Sequence, residues 1–236
     1  MTEAIILAGG LGTRLRSVVA DVPKPMAPIK GRPFLAYLMD YWIKEGISRI
    51  ILSVSYKYEV VEHYFADNYR GVSVCYSVED KPLGTGGGVL QATRHLISNE
   101  PFLVLNGDTV FTVKLEAIKT QHLAAKSDIT VALVGVTDNS RYSGIQLASD
   151  GKIVSFEKRA AGSHTKQVNA GIYLIERKVF DGYPTQALEN ISIEDRLFPE
   201  FLKQGKRIMG FVFNGVFIDI GVPEDYYRCI SLLAQL

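Results

Sequence analysis

The chain has 236 residues, of which 47% are hydrophobic and 22% are charged, a profile typical of a globular protein with one large domain or two small ones. Its net charge of +1 gives no electrostatic reason to expect binding to nucleic acid or to anionic lipid. No apolar run has the length of a membrane span, and Glu3 stands where a signal peptide would be basic, so we expect a cytoplasmic protein that is not bound to a membrane.

Strand and helix patterns alternate along the first half of the chain. An apolar run at 4–8 predicts a buried strand, and apolar residues at every fourth position after Pro33 predict a helix that ends at Gly46. The alternation predicts a largely parallel sheet with helices on both of its faces. The further predicted strands are 49–54, 72–76, 102–105 and 129–136, and the further predicted helices are 58–65, 85–97 and 115–125.

The second half of the chain has consecutive strand patterns, with a hairpin turn at Asp150-Gly151. The capping pattern Ser192-x-x-Asp195 predicts a helix start, and Pro223 opens the last helix. No linker or repeat interrupts the chain, so we expect one α/β domain over 1–236, with a nucleotide-binding part to about 136 and a more antiparallel part from about 137. The predicted strands here are 143–147, 152–156, 168–175, 207–213 and 216–218.

The two cysteines, Cys75 and Cys229, lie far apart in the sequence and have no spacing typical of a metal site. Cys75 falls in a predicted strand and Cys229 on one face of the last helix. We therefore expect both to be reduced residues of the core.

A glycine-rich loop, Gly9-Gly10-Leu11-Gly12-Thr13-Arg14, follows the first predicted strand. A dinucleotide fingerprint is excluded because its third glycine would fall on Leu15, and a P-loop is excluded because no lysine follows Gly12. Glycines still allow backbone N–H groups to approach an anion closely, and the Arg14 guanidinium offers donors that match phosphate oxygens. The alternative is a tight turn from strand to helix with a surface arginine.

Lys24 stands between Pro23 and Pro25. The two prolines keep this stretch extended and stiff, so the ammonium has a fixed backbone frame and is a good partner for phosphate. The alternative is a rigid surface loop.

A second glycine-rich stretch, Pro82-Leu83-Gly84-Thr85-Gly86-Gly87-Gly88, follows Glu79 and enters a predicted helix that Thr85 could cap. A helix start of this kind can receive an anion or the edge of a base. Three glycines in a row destabilise a helix by about 1 kcal/mol each relative to alanine, which suggests that the backbone must be approached closely there. The alternative is an over-flexible helix terminus.

Two aspartates are candidate metal ligands. Asp108 follows an apolar strand in Asn106-Gly107-Asp108, where ligands collect at the carboxyl ends of strands, although an aspartate there is usually a cap or turn residue. Asp219 stands in an apolar strand, so its carboxylate either meets a cation or points to solvent. In the second half, Glu157 and Asn169 suit hydroxyl groups and Lys158 suits a phosphate, unless these are solvated strand ends.

Taken together and in this order, the motifs resemble those of the sugar-1-phosphate nucleotidyltransferases over essentially the whole chain. Within that family the chain is most similar to the short bacterial D-glycero-D-manno-heptose 1-phosphate guanylyltransferases. The resemblance implies a Rossmann-like three-layer sandwich with a mixed, mostly parallel sheet and a more antiparallel sugar-binding second half. It also implies that the chain lacks the C-terminal β-helix domain of longer relatives. The segments that carry it are 9–14, 23–26, 82–87, 106–108, 156–158, 169–173 and 219–226, and 24–29 and 53–60 carry the narrower match.

The resemblance also implies roles for individual residues. It implies that Arg14, Lys24 and Asp108 are catalytic residues and that Asp108 and Asp219 bind Mg²⁺. In one departure, relatives often have Tyr-Gly where this chain has Tyr142-Ser143-Gly144, which weakens the sugar contact implied for that loop. The residues matched to the nucleotide are Leu7, Ala8, Gly9, Gly10, Gly12, Thr13, Glu79, Pro82, Gly84, Thr85, Asn106 and Gly107, and those matched to the sugar phosphate are Gly144, Glu157, Lys158, Asn169 and Gly171.

The implied reaction joins a nucleoside triphosphate to a sugar 1-phosphate with Mg²⁺ and releases pyrophosphate, in the service of bacterial surface glycan synthesis. Glu79 favours GTP, because guanine presents two adjacent donors that one carboxylate can accept. A heptose 1-phosphate is expected as acceptor, while mannose 1-phosphate, N-acetylated sugar phosphates and other bases stay open. A non-catalytic sugar-nucleotide binder is the alternative of another class, and the presence of both Asp108 and Asp219 favours the enzyme. The oligomeric state, including a homo-oligomer, stays open.

Overall fold

The computed structural model describes residues 1–10, 12, 15, 18–19, 22–136, 144–157, 167–183 and 190–232, with Glu157 described by its backbone alone. Fourteen strands and six α-helices form within these residues. The strands are β1 Glu3–Leu7, β2 Pro28–Ile29, β3 Arg32–Pro33, β4 Arg49–Val54, β5 Asn68–Tyr69, β6 Val72–Val78, β7 Phe102–Asn106, β8 Thr109–Phe111, β9 Ile129–Gly135, β10 Gly144–Leu147, β11 Ile153–Glu157, β12 Gln167–Ile175, β13 Ile208–Val212 and β14 Phe217–Asp219. The helices are α1 Phe34–Lys44, α2 Tyr58–Phe65, α3 Gly84–Ala92, α4 Leu115–Ala124, α5 Phe198–Lys203 and α6 Pro223–Leu232.

Ten of the strands form one mixed sheet. Strands β7, β1, β4 and β6 are parallel neighbours in that order, and β12 joins them antiparallel to β7. Strand β9 pairs antiparallel with β12 and parallel with β13, while β10 and β11 continue the sheet as antiparallel neighbours. The predicted mixed sheet with a more antiparallel second half is thus confirmed. Strand β9, however, lies among strands of the second half and not beside the parallel strands that precede it in the chain.

Helices cover both faces of the sheet. Helices α1, α2, α4 and α6 share one apolar cluster with Ala4 and Ile6, while α3 and α5 share another with Ile5. Because successive side chains of β1 enter opposite clusters, the strand is apolar at every position after Glu3, as expected of a sheet that is buried on both sides. The predicted three-layer sandwich is therefore confirmed. None of the described helices has the length and apolar character needed to cross a bilayer.

The structure differs from the predictions at the end of α3 and in four short strands, where apolar periodicity does not determine the structure. The helix predicted to reach 97 ends at Ala92 and continues as a short 3₁₀ turn, because the Thr93 hydroxyl donates to the Leu90 carbonyl at 2.8 Å and Leu96 is extended. The strands β2, β3, β5 and β8 were not predicted, since runs of two or three residues carry no detectable period.

The parallel strands bring one edge of the sheet together. Leu7 ends β1, and it lies opposite Ser53 of β4 on one side and Asn106 of β7 on the other. Glu79 directly follows β6. The carboxyl ends of parallel strands form the crevice in which ligands of open α/β sheets bind, so the polar motifs of the sequence converge here.

Candidate active site

Two adjoining cavities open at this edge. The first, of about 300 Å³, lies over the carboxyl ends of β1, β4, β6 and β7. The second, of about 310 Å³, is bordered by the ends of β7, β12 and β14. Asn106 and Asp108 line both cavities. The two cavities therefore meet at these side chains, which suits a site that brings two molecules together.

Most of the predicted nucleotide-side residues line the first cavity, namely Leu7, Gly9, Gly10, Lys24, Glu79, Pro82, Gly84, Thr85, Asn106 and Asp108. Ala8, Gly12 and Gly107 do not line it and pack beneath its wall. On the predicted sugar side, Asn169, Gly171 and Asp219 line the second cavity, whereas Gly144 is buried in β10 opposite Val168. Thr13, Arg14 and Lys158 lie outside the described residues, as do Tyr142, Ser143 and the side chain of Glu157.

The glycines of the first loop have different surroundings. Among the described residues, a Cβ atom at Gly10 would meet no heavy atom within 4 Å, so Gly10 faces open space at the cavity. A Cβ at Gly9 would lie 3.1 Å from Oε1 of Glu79. Gly12 has φ +58°, and a Cβ there would lie 2.7 Å from the Cβ of Lys24. Gly12 is thus required by the backbone, whereas at Gly10 the missing side chain leaves room for a ligand.

Lys24 lines the first cavity and contacts Asp108, one of the two residues at which the cavities meet. A short 3₁₀ turn, Lys24–Met26, carries it after Pro23, and its side chain is only 10% exposed. Its ammonium donates to Oδ2 of Asp108 at 2.5 Å. Lys24 is therefore a buried, paired cation beside a candidate metal ligand and not a lysine on a surface loop.

Asp219 is positioned by the small antiparallel sheet of β8 and β14. It lies opposite Thr109 in that sheet, and the N–H of Ile220 donates to the main-chain carbonyl of Asp108 at 3.0 Å. The N–H of Gly221 donates to Oδ1 of Asp219 at 2.6 Å. Burial raises the pKa of the Asp219 carboxyl, and the neighbouring Asp108 raises it further, while Lys24 opposes both effects.

Asp108 and Asp219 provide a donor set that fits Mg²⁺. Carboxylate oxygens are preferred ligands of this ion, and a divalent cation would offset both the burial and the repulsion from Asp108 that raise the pKa of Asp219. Among the described residues, no group of three or more His, Cys, Asp and Glu side chains is close enough to form a cage. Mg²⁺ is commonly held by only one or two carboxylates, with water and substrate phosphates completing its shell.

Glu79 lies in the wall of the first cavity and is 9% exposed. Its Oε1 accepts from the hydroxyl of Ser53 at 3.0 Å, and its Oε2 accepts from the N–H of Leu83 at 2.9 Å. Burial raises the pKa of the Glu79 carboxyl. The side chain thus holds the turn at the start of α3, and each oxygen keeps one acceptor position for a ligand.

The glycines of α3 allow close approach between parts of the protein. A Cβ at Gly86 would lie 3.0 Å from Leu197, and one at Gly88 would lie 2.8 Å from Oγ of Ser53. The expectation that the backbone is approached closely here is confirmed, but the approaching groups belong to the protein itself: side chains at Gly86 and Gly88, and the main-chain carbonyl of Ile191 at Gly84 and Gly86.

Thr85 does not cap α3, so that prediction is wrong. The helix begins at Gly84 with Leu83 as its N-cap and no side-chain cap. The hydroxyl oxygen of Thr85 instead accepts from the N–H of Ile193 at 2.9 Å and donates to Glu194 at 3.4 Å. Through these two hydrogen bonds, Thr85 links the start of α3 to Ile193 and Glu194, which are distant from it in the sequence.

Asn169 and Gly171 lie at an irregularity in the pairing of β12, where the register with β9 shifts. Gly171 has φ +69°, and a Cβ there would lie 2.5 Å from Nδ2 of Asn106. Oδ1 of Asn106 is buried without a hydrogen-bond partner among the described residues. A ligand donor at the junction of the two cavities would satisfy this oxygen.

Tyr173 and Glu194 are among the residues of this site that the sequence analysis did not predict. Glu194 lines the second cavity, and Tyr173, which is fully buried, donates its hydroxyl to Glu194 at 2.7 Å. The predicted capping contact of Ser192 is confirmed, since its Oγ accepts from the N–H of Asp195 at 3.0 Å. The segment Ile193–Leu197 is a π-helix turn, however, and nothing in the capping pattern shows that Glu194 faces the cavity.

This arrangement agrees with a comparison against known families, in which the model of the nucleotidyl transferases matches residues 3–235. The chain belongs to the nucleotidyl transferase family. The resemblance deduced from the motifs is thereby confirmed over the whole length that carries them.

Individual nucleotidyl transferases of known type are also similar to the chain. It is 43% identical over 228 residues to the D-glycero-alpha-D-manno-heptose 1-phosphate guanylyltransferase of Aneurinibacillus thermoaerophilus, with 96% of both chains covered. It is likewise 43% identical over 228 residues to the protein of the same name from Campylobacter jejuni, with 96% of this chain and 97% of that one covered. The crystal structure of HddC from Yersinia pseudotuberculosis complexed with GMP-PN is similar at a TM-score of 0.85 and 36% identity, covering 98% of this chain and 99% of that one.

Proposed function

We propose that the chain is a Mg²⁺-dependent guanylyltransferase that joins GTP and D-glycero-D-manno-heptose 1-phosphate into a GDP-heptose and releases pyrophosphate. The observation that carries the proposal is the meeting of two cavities at Asn106 and Asp108, where the ammonium of Lys24 is bonded to Asp108. Two relatives named for this activity match nearly the full chain, and a similar structure holds a guanine nucleotide analogue. The enzyme would act in the cytoplasm, and its product would be used for the synthesis of surface glycans.

The reacting phosphates would lie where the cavities meet. The nucleophile is an oxygen of the sugar phosphate, and it needs no protein base because a phosphate monoester with a second pKa of about 6 is mostly dianionic at neutral pH. The main obstacle is the approach of two polyanions, so catalysis would consist of positioning and charge neutralisation. The ammonium of Lys24 is held at this point by its hydrogen bond to Asp108. Asp108 and Asp219 would hold Mg²⁺, which supplies positive charge to the phosphate oxygens when it is bound.

The preference for GTP rests on the wall of the first cavity. Glu79 keeps one acceptor position on each carboxylate oxygen beyond its contacts with Ser53 and Leu83. Guanine presents the N1–H and 2-amino donors side by side, whereas uracil and thymine present one donor between two acceptors. With uracil or thymine, one oxygen of the buried Glu79 carboxylate would face a carbonyl of the base instead of a donor, and the mismatched base would be rejected.

The test is a pyrophosphate-release assay over a matrix of nucleoside triphosphates and sugar 1-phosphates, with Asp108→Asn as inactive reference and Asp181→Asn as a matched exposed aspartate. We expect the highest kcat/KM for GTP with the heptose 1-phosphate, and loss of activity on chelation. Higher kcat/KM with mannose 1-phosphate would replace the sugar in the proposal, and a preference for UTP or dTTP would refute the base assignment. GTP binding with no turnover of any sugar 1-phosphate would favour a sugar-nucleotide binder over an enzyme.

A further inference from the structure

A continuous chain of hydrogen bonds crosses the wall of the second cavity. The N–H of Gly171 donates to Oδ1 of Asn169 at 2.9 Å, and Nδ2 of Asn169 donates to the hydroxyl oxygen of Tyr173 at 2.7 Å. The hydroxyl of Tyr173 donates in turn to Oε1 of Glu194 at 2.7 Å. Asn169, Gly171 and Glu194 line the cavity, and Tyr173 is fully buried between them.

The direction of this chain is fixed at both ends. The backbone N–H of Gly171 can only donate, and at the other end Oε1 of Glu194 accepts from the tyrosine hydroxyl. Burial, reinforced by the charge of Glu194, holds the pKa of the Tyr173 hydroxyl well above its ordinary value, so the tyrosine remains a donor. The amide of Asn169 has therefore one orientation, in which the second N–H of Nδ2 is left for a ligand.

Glu194 is itself held firmly. Its Oε2 accepts from the hydroxyls of Ser192 at 3.1 Å and Thr85 at 3.4 Å. The segment that carries it is bound to the start of α3, since the N–H of Ile191 donates to the Leu83 carbonyl at 2.9 Å and Ile191 accepts from Gly86 at 2.8 Å. Glu194, the acceptor at the end of this series of hydrogen bonds, is thus fixed to helix α3, which borders the first cavity.

We propose that Tyr173 and Glu194 are positioning residues for the sugar 1-phosphate, because they hold the amide of Asn169 so that it presents an N–H to the oxygens of that substrate. This inference rests on the proposed function of the site. Without an acceptor at position 194, the tyrosine hydroxyl is free to turn away from its present direction and no longer holds Nδ2 of the asparagine. The amide is then held only by the N–H of Gly171, and its second N–H is no longer fixed toward the oxygens of the substrate.

The test measures steady-state kinetics of Tyr173→Phe and Glu194→Met with the heptose 1-phosphate and GTP. We expect the KM for the sugar phosphate to rise about tenfold, as for the loss of one oriented hydrogen bond, with KM for GTP and kcat changed less than about twofold. Glu194→Gln keeps a carbonyl acceptor for the tyrosine and should recover most of the affinity. In an Asn169→Ala background, Tyr173→Phe should have no further effect on this KM, because it acts through the asparagine.

A matched pair elsewhere in the chain separates positioning from stability. The hydroxyl of Tyr183 donates to Glu200 at the same distance of 2.7 Å, and neither residue lines the two cavities. Tyr183→Phe and Glu200→Met should lower Tm without raising the KM for the sugar phosphate.

An unchanged sugar KM in Tyr173→Phe and Glu194→Met, or the full effect of Tyr173→Phe persisting in the Asn169→Ala background, overturns the positioning role alone. A wild-type protein that turns over none of the sugar 1-phosphates overturns the proposed function. If the wild type prefers mannose 1-phosphate, the same variants are measured with that sugar and judged by the same criteria.

Discussion

Replacement of Asp219 by asparagine should make the folded protein more stable while it removes the activity. Burial and the charge of Asp108 raise the pKa of the Asp219 carboxyl above its ordinary value of 3.8, so the ionised form is disfavoured in the folded state. Between the ordinary and the raised pKa, the folded protein binds more protons at this group than the unfolded chain does. The stability contributed by this carboxyl is therefore full below pH 3.8 and is lost as the pH rises through the raised pKa.

Asparagine keeps the favourable part of this local structure. Its carbonyl oxygen can still accept from the N–H of Gly221, which donates to Oδ1 of Asp219 at 2.6 Å. Only the charge is removed, together with its burial cost, its repulsion from Asp108 and its smaller attraction to Lys24. A single substitution that removes an unfavourable interaction commonly raises the free energy of unfolding by roughly 0.5–2 kcal/mol. Each kcal/mol raises Tm by about 2–4 °C for a domain of this size.

The assay is thermal unfolding of Asp219→Asn and the wild type in chelator at pH 5 and pH 8, with Asp181→Asn as an exposed control. The gain in Tm should be larger at pH 8 than at pH 5. Added Mg²⁺ should then raise the Tm of the wild type more than that of the variant, because only the wild type keeps both carboxylates. A variant that unfolds at or below the wild-type temperature at pH 8 in chelator would refute the electrostatic reasoning.

Three further substitutions separate chemistry, binding and folding. Lys24→Met should depress kcat more than GTP affinity, since the ammonium is bonded to Asp108 where the cavities meet; equal losses in pyrophosphate release and GTP titration would contradict this. Gly10→Val should lower GTP affinity at least about tenfold, because the added side chain would enter the first cavity. The circular dichroism spectrum should stay native-like, because a Cβ there meets no atom of the described residues within 4 Å; unchanged affinity would show that the loop is only a turn. Gly107→Ala would place a Cβ 2.5 Å from the Leu7 carbonyl oxygen and should cost about 1–3 kcal/mol of stability, so an unchanged Tm would show that this close approach does not constrain the fold.

The layers and much of the sheet could be predicted because they follow from periodic patterns. The continuous apolar run of β1 and the fourfold spacing in α1 each reflect burial against a neighbour, and both elements lie where the pattern places them. Short strands escape such reasoning. Strand β8 has three residues, yet its pairing with β14 sets Asp219 opposite Thr109 and so builds the candidate metal site.

The first cavity could be predicted better than the second. Its lining comes from loops that directly follow parallel strands, and the carboxyl ends of such strands necessarily share one edge of the sheet. The second cavity depends on how β12, β14 and the π-helix turn pack against that edge. Asn169 was found because its motif was recognised, whereas no local pattern required its amide to contact Tyr173.

Glu194 shows why such a residue stays hidden in the sequence. Thr85 and Glu194 lie 109 residues apart in the chain, and their contact exists because glycines at the start of α3 let the backbone of Ile191 come close. In the sequence, Glu194 is one of three consecutive charged residues after Ile193, a pattern typical of a solvated helix start. The π-helix turn changes which of these side chains faces inward, since it adds a residue to the turn and shifts the helical phase. The direction of the hydrogen-bond chain then follows from its two ends, a backbone N–H and a carboxylate, and becomes visible only when both are located in space.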